Sequence, residues 1–501
     1  MNEPQTTAPP RSFASSFIHR LFNWRMFRRA LIGLVGLVTL LALLVTEENW
    51  RGKRDWENYK SEREAKGERF DLSAFNPKPV PPEQNFFATP FLAPLLDYEI
   101  VNGEARWRDS NGVAHAKSLG LVGGALVGDL EHGDLKAAQK YFRSNTNFPT
   151  RPQPQDAADD VLFALQKFEP ILTELRAASE RPAAVFSIHP ERDMAARMEM
   201  FMVIRSMAQT ALLHALASLQ AGNSSNALTD VRFMFRLGEA LRGEPMLISH
   251  LVRIAILNLA LQPVRRGLAE HRWSAAQLQE LQGLLLSGDL LGDYGRMMRG
   301  ERAFSNELMG QYIAGNFASM GGQNPGFKFL GFLSPRGLFH QNQIAINRLH
   351  EQISLRVADA AAHRVYPERC RTNAMFEVLG TATPYNIFGR LLFPALQKAA
   401  SRYFHTQSTF DQAAIACALE RHRLALGNYP ETLAALVPQF IGKIPHDIIG
   451  GQPLHYRRTD DGKFLLYSIG WNEKDDGGTV AAKQQGRDDV ENGDWVWATK
   501  Q

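Results

Sequence analysis

One stretch limits what this chain can be. Ala30 to Thr46, ALIGLVGLVTLLALLVT, is a long run of almost wholly apolar residues without a charge. At about 1.5 Å rise per residue its 17 positions cover roughly 26 Å, close to a bilayer core of about 30 Å. Phe22, Trp24, Met26 and Phe27 extend the apolar surface, and Arg25, Arg28 and Arg29 can snorkel toward headgroups. Residues 30–46 therefore read as a single transmembrane helix. A cleaved signal peptide competes, but the run is longer than an h-region and Val45-Thr46-Glu47-Glu48 is a poor cleavage site. A soluble core helix is the third reading.

Charge orients the helix. The tail, residues 1–29, carries Arg11, Arg20, Arg25, Arg28 and Arg29 against Glu3, whereas Glu47, Glu48, Arg51, Lys53, Arg54, Asp55 and Glu57 mix signs. The positive-inside rule places the N-terminus in the cytoplasm and the C-terminal bulk in the periplasm, anchored single-pass in the inner membrane. The formal net charge of +4 is no more than the tail supplies, five arginines less one glutamate. The exported part is near neutral, and no basic field calls for nucleic acid. Cys370 and Cys417 are too few for a disulfide framework or a zinc cluster. They read as buried thiols, with one mutual bridge as the alternative.

The remainder divides into three. Residues 47–95 form a charged helix and a Pro-rich linker. Arg51/Asp55, Lys53/Glu57, Lys60/Glu64 and Glu62/Lys66 are opposite charges four apart, as in a solvated helix leaving the membrane. Prolines between Pro77 and Pro94 then predict an extended strap on the domain surface. Residues 96–400 form a helical domain opened by a short hairpin, Tyr98 to Trp107, turning at Asn102-Gly103. Apolar spacing in 159–178, the Met-rich run 194–221, the Asn223 start and the Ser274/Gln277 capping box predict a mainly α fold, an α-helical hairpin array. Gly123 and Gly128 have phosphate-loop spacing, but Asp129 stands where the lysine belongs, which excludes that use. The Gly/Phe loop 315–339 packs across the bundle, dips into lipid or meets a partner.

Residues 405–501 have a different grammar. A helix from Ser408 to Leu426 stops at Gly427, with Pro430 beyond, and Leu433 to Leu436 is a further turn. Strands at Pro453–Arg458 and Lys463–Ser468 flank Asp461-Gly462, giving a small α+β module of helix and antiparallel meander. Here Ala418-Leu-Glu-Arg-His-Arg-Leu-Ala-Leu-Gly-Asn-Tyr-Pro430, then Pro445, Gly451, Pro453 and Tyr456, then Leu466-Tyr-Ser-Ile-Gly470, resembles the globular part of type II secretion major pseudopilins. The whole chain also resembles uncharacterised single-pass bacterial membrane proteins carrying this ending. In pseudopilins the apolar helix adjoins a prepilin cleavage signal; here it lies far upstream without one.

The resemblance implies calcium in the loop after Gly470. Asn472, Glu473, Asp475, Asp476, Asp488 and Asp489 are the candidate side chains, and Leu466 and Ser468 the candidate carbonyls, for an ion needing six to eight oxygens. Asn472 occupies the place of the family's aspartate. The alternative is a solvated acidic turn around Gly477-Gly478. No catalytic motif is present: there is no Gly-x-Ser-x-Gly, His-Glu-x-x-His, Ser-x-x-Lys or Cys-x-x-Cys. His189-Pro-Glu191-Arg-Asp193, Arg299-Gly-Glu301-Arg302, Cys417 with His422, and His446-Asp447 are the site-like groupings, and each also reads as structural. The expected function is a membrane-anchored, periplasm-facing interaction or scaffold protein with protein partners in the bacterial envelope. A periplasmic hydrolase-like enzyme with a site between helices, or an accessory component of a secretion or pilus-like apparatus, is the alternative.

Overall fold

A computed structural model of the chain describes residues 24–101, 104–120, 134–186, 194–315, 331, 334–482 and 488–497. Two compact units result: Met1–Lys66 with Met309–Ile344, and Gly67–Leu308 with Ala345–Gln501.

In the first unit, α1 (Trp24–Glu64) is one continuous helix of 41 residues. Positions 25–47 are all exposed, and its most apolar window has a mean hydropathy of 2.3 with none of it buried. By length and composition α1 is able to cross a membrane. Two helices of the second unit, Ala196–Gln220 and Leu247–Ala269, reach the same measure, but 72% and 61% of their windows are buried. Those two are core.

Beyond Thr46, α1 is more than a charged spacer. The Lys53/Glu57 and Lys60/Glu64 pairs form at 3.7 Å and Glu62/Lys66 at 2.8 Å. Arg51 turns to Glu48, however, and Asp55 accepts from Nε2 of Gln341 at 2.7 Å. The Gly337 N–H donates to Oδ1 of Asn49 at 3.0 Å. At this crossing a Cβ on Gly52 would stand 2.5 Å from the Gly337 backbone, and one on Gly337 would stand 2.0 Å from the Glu48 carbonyl oxygen. Two glycines let two backbones touch, so one face of the charged stretch is a packing seam.

The second unit begins with short 3-10 turns (Leu72–Phe75, Pro82–Gln84, Phe86–Ala88, Ala93–Leu96) where a plain extended strap was expected. Phe86, Phe87, Phe91 and Leu92 are buried and fasten the segment to the domain. The hairpin β1 (Tyr98–Val101) and β2 (Glu104–Trp107) pairs Tyr98 with Trp107; its Asn102-Gly103 turn lies outside the described residues. Short helices follow: α2 (Ser110–Lys117), α3 (Leu135–Ser144), α4 (Ala157–Leu165) and α5 (Glu169–Ala178). The first three start at an aspartate, Asp109, Asp134 and Asp156, whose side chain accepts backbone N–H groups.

The bundle proper is α6 (Met194–Gln220), α7 (Ser224–Ala240), α8 (Leu247–Ala269), α9 (Ala275–Ser287) and α10 (Leu290–Ile313). Successive members of α6 to α8 pack as helical hairpins. Asn223 caps α7, and the Ser274/Gln277 capping box is formed. The methionines of α6 divide: Met200 and Met207 are core, while Met198 and Met202 are exposed. After α11 (Arg336–Gln352) the chain makes a small hairpin, β3 (Ala358–Asp359) and β4 (Arg364–Val365).

Then come α12 (Thr372–Leu379) and α13 (Ile387–Leu426), a helix of 40 residues ended by Gly427 at φ +85°. The boundary expected between residues 400 and 405 falls inside α13, which packs against α8 and α9 and also against the terminal strands. A three-stranded antiparallel sheet, β5 (His455–Arg458), β6 (Phe464–Ser468) and β9 (Trp495–Val496), has the order β5-β6-β9; β7 (Val480–Ala482) pairs with β8 (Asp488–Gly493). One hydrophobic cluster extends from Phe86 to Trp497. The fold is mainly α, with small antiparallel sheets in its C-terminal part.

Candidate functional site

A cavity of about 210 Å³ opens between α7, α8, α9 and α13. Its position follows from local sequence. Gly238 allows α7 to approach α8, since a Cβ there would stand 2.6 Å from Leu257. Asn223 and Ser274 fix where α7 and α9 begin. Phe235 and Phe410, with ring centroids 5.6 Å apart, form an aromatic wall beside Leu257 and Leu284, and Arg236, Glu239, Arg253 and Ser287 supply the polar lining.

Arg253 is wholly buried. Its terminal nitrogens donate to Glu239 at 2.7 Å and Asp293 at 2.8 Å, and Asp293 also accepts from Nε of Arg242 at 2.9 Å. The Arg253 guanidinium also interacts with the Tyr403 hydroxyl. That hydroxyl is 3.4 Å from Nδ1 of His250. The Nε2–H of His250 donates to the Glu244 carbonyl at 2.9 Å, so Nδ1 is left as the acceptor. Burial, helped by the Arg253 charge, lowers the His250 pKa to about 4, and burial raises that of the Tyr403 hydroxyl. Glu244 ends the relay in a buried pair with Arg197. Ser287 donates its hydroxyl to the Leu284 carbonyl at 2.8 Å. The lining thus offers ion-paired charges, with a neutral imidazole and a neutral phenol behind it. Among the described residues it offers no nucleophile paired with a base.

The acidic C-terminal loop is organised differently from the expectation. The Asn472 amide donates to Asp476 at 2.9 Å. Asp475 accepts from the Gly477 N–H at 2.9 Å and the Tyr467 hydroxyl at 3.0 Å, and the backbone bond from Gly477 is the chief cause of its lowered pKa. Asp489 accepts from the Glu491 N–H and the Asn492 amide, on β8. Asp488 is placed in β8 by its backbone; its side chain lies outside the described residues. No group of three or more His, Cys, Asp or Glu able to hold a metal ion occurs among the described residues. What gathers the loop is Asp494, buried, whose carboxylate accepts the N–H groups of Asp476, Gly478 and Thr479 at 3.2, 2.6 and 3.3 Å. Sequence reasoning passed over Asp494. Its signal was a lone aspartate between Gly493 and the buried Trp495, a position where a solvated charge is out of place.

The other groupings resolve structurally. Asp447 is a second buried carboxylate knot, accepting from the Ile449 and Ile469 N–H groups and the Ser468 hydroxyl. Arg302 reaches Glu68 at 2.6 Å, and Glu301 accepts the Leu247 N–H at 2.9 Å, in place of an intrahelical pair. Cys370 and Cys417 are free and buried, which pushes each thiol up to about 12; His422 bonds the Asn428 carbonyl. The His189–Asp193 group, the glycine-rich stretch 121–133 and most of the 315–339 loop lie outside the described residues.

One cluster escaped sequence reading because its members are far apart. His363, at φ +50°, lies 3.7 Å from the buried Asp411, and His446 donates from Nε2 to the His363 carbonyl at 3.0 Å. Hydrogen bonding to Asp411 raises the His363 pKa. Comparison of the chain with protein-family models, with curated proteins and with solved structures finds no match.

Proposed function

We propose that this chain is a membrane-anchored interaction or scaffold protein of the bacterial envelope, its folded bulk facing the periplasm. The observation that carries the reading is α1: an exposed, charge-free helical stretch of membrane length, where the two other helices of such hydropathy among the described residues are mostly buried. The arginine-rich tail before it supports the orientation. The absence, among the described residues, of a nucleophile with a base at the cavity favours binding over hydrolysis. The ending that resembles pseudopilins is read as the part that meets partner proteins. It rests on the Gly427 helix stop, on Tyr456 donating to the Pro430 carbonyl at 2.7 Å, and on the β5-β6-β9 sheet.

The test is twofold. A phosphatase reporter fused after Gln501 should be active outside the cytoplasm, and the chain should resist carbonate extraction. Affinity purification from membranes with mass spectrometry should then recover envelope proteins reproducibly. A cytosolic reporter, or extraction by carbonate, overturns the anchor; recovery of no partner overturns the scaffold role.

A further inference from the structure

The first turns of α13 carry an apolar surface on the side away from the core. Phe393, Leu396, Ala400 and Phe404 turn inward and are buried. Gly389 seats this end of the helix on α11, since a Cβ there would stand 3.0 Å from Leu349. Packing therefore holds the opposite face outward, where Ile387, Leu391, Pro394 and Ala395 recur at helical spacing and are exposed. At 69% exposed, Leu391 exceeds every other large apolar side chain among the described residues, those of the charge-free stretch of α1 included. Phe376 of α12, itself exposed, joins the patch, because the Arg390 guanidinium lies over its ring at 4.7 Å. A contiguous apolar surface of this kind marks a contact with something else.

Charge says what the contact is with. Between Glu377 and Asp411 the sequence has no acid, but it has Arg390, Lys398 and Arg402. None of these three has an ion pair among the described residues, whereas Arg242 and Arg253 of the bundle are both paired. Lys398 and Arg402 continue the exposed face, about 10 and 17 Å along the axis from Leu391. Apolar side chains at the tip with long cations behind them suit a lipid interface, where the cations snorkel to the headgroups. An anionic bilayer offers acyl chains and negative charge in that order of depth. It is also close at hand. Residues 47–64 of α1 cover roughly 27 Å and the second unit begins at Gly67, so a bilayer holding α1 meets this face at high effective concentration.

We propose that the start of α13, with Phe376 beside it, docks on an anionic lipid surface. Ile387 and Leu391 enter the acyl boundary, and Arg390, Lys398 and Arg402 meet the phosphates. The proposal rests on the anchor reading for the bilayer's proximity and adds a second lipid contact to it.

The experiment uses the full chain reconstituted in vesicles of equimolar phosphatidylcholine and phosphatidylglycerol, with pure phosphatidylcholine for comparison. A nitrobenzoxadiazole label is placed at Leu391→Cys. Cys370 and Cys417 are buried, with thiols pushed up to about 12, and leave labelling to the introduced cysteine. Nitroxide-bearing acyl chains should quench this label at least about twofold more than the same label at Asp460→Cys, on an exposed turn, and more strongly in the anionic vesicles. Lys398→Glu with Arg402→Glu should cut that quenching by at least about half. Should this variant misfold by circular dichroism, Lys398→Gln with Arg402→Gln replaces it. A label at Val38→Cys reports on α1 separately, so a failed anchor and a failed docking face are told apart. Quenching at Leu391 no greater than at Asp460, or unmoved by the charge change, overturns the proposal. So does shielding of the Leu391 label from aqueous iodide without nitroxide quenching, which would put a protein on this face.

Discussion

His250 and His350 are held neutral inside the protein, at about 4 and about 3, chiefly by burial. Neither ring nitrogen of His350 has a hydrogen-bond partner among the described residues. An unfolded histidine titrates near about 6.5, so below that value the unfolded chain binds two protons that the folded chain refuses. Stability should therefore fall as the pH falls, by up to about 3 kcal/mol per pH unit between roughly pH 6 and 4.5 for the two together. His363 opposes this. Its raised pKa contributes stability below about 6.5 that is lost as pH rises through its folded value. Denaturant melts across that range should show the net acid loss. His350→Leu should flatten the dependence by about half while changing stability at neutral pH by less than about 1.5 kcal/mol, the scale of a volume-conserving swap; an unchanged slope would show that His350 does not stay neutral. Asp494 makes the opposite case, a buried charge that is needed. Asp494→Ala strands three backbone N–H groups and should cost about 2–4 kcal/mol, read as a lower melting temperature.

At the level of elements, the α1 crossing gives an unambiguous sign. Gly→Ala inside a helix ordinarily gains about 1 kcal/mol. At Gly52 and Gly337 the added methyl meets backbone, so Gly52→Ala should instead destabilise, by about 1–3 kcal/mol, and speed hydrogen exchange at the Gly337 amide. A gain in stability would remove the crossing. Local signals in the sequence located most helix ends and turns. The Ser274/Gln277 box, the Gly427 stop, the 433–436 turn and the strands around Asp461-Gly462 depend on neighbours a few residues away, and so could be read directly. The α1 seam could not. Its charges four apart satisfy the rule for a solvated helix, and only the distant Asn49–Gly337 and Asp55–Gln341 bonds reveal the packed face. The hairpin at 358–365 was missed for a similar reason. Its Val365 N–H donates to Ile448 at 2.7 Å, a partner that no window around Val365 contains.

Over the whole molecule, the least legible feature is the middle of α13. Thr406, Gln407, Ser408, Thr409, Asp411 and Gln412 form a polar run of about two turns, yet all are buried. Four of them find partners far away in sequence: Thr406 with Asn258 at 3.0 Å, Gln407 with the Leu290 N–H at 2.8 Å, Asp411 with His363 at 3.7 Å, and Gln412 with the Trp495 carbonyl at 3.0 Å. The cavity was hidden likewise, being a product of four helices meeting. Periodicity tells which side of a helix avoids water, but it does not tell which distant group will receive a buried amide. A chain stopped at Gly493 should keep its far-ultraviolet helix signal but lose the single cooperative melt, because Trp495 and the buried Trp497, which Arg265 covers at 4.8 Å, are gone. Retention of a sharp transition would show the terminal strand to be dispensable. The tie between Gln412 and Trp495 also bears on biogenesis. Translation delivers the helices before the closing tryptophans, so the bundle stays incomplete until Trp495 and Trp497 have been made. Whatever machinery handles the nascent polypeptide has to shield that unfinished interior until those tryptophans have emerged.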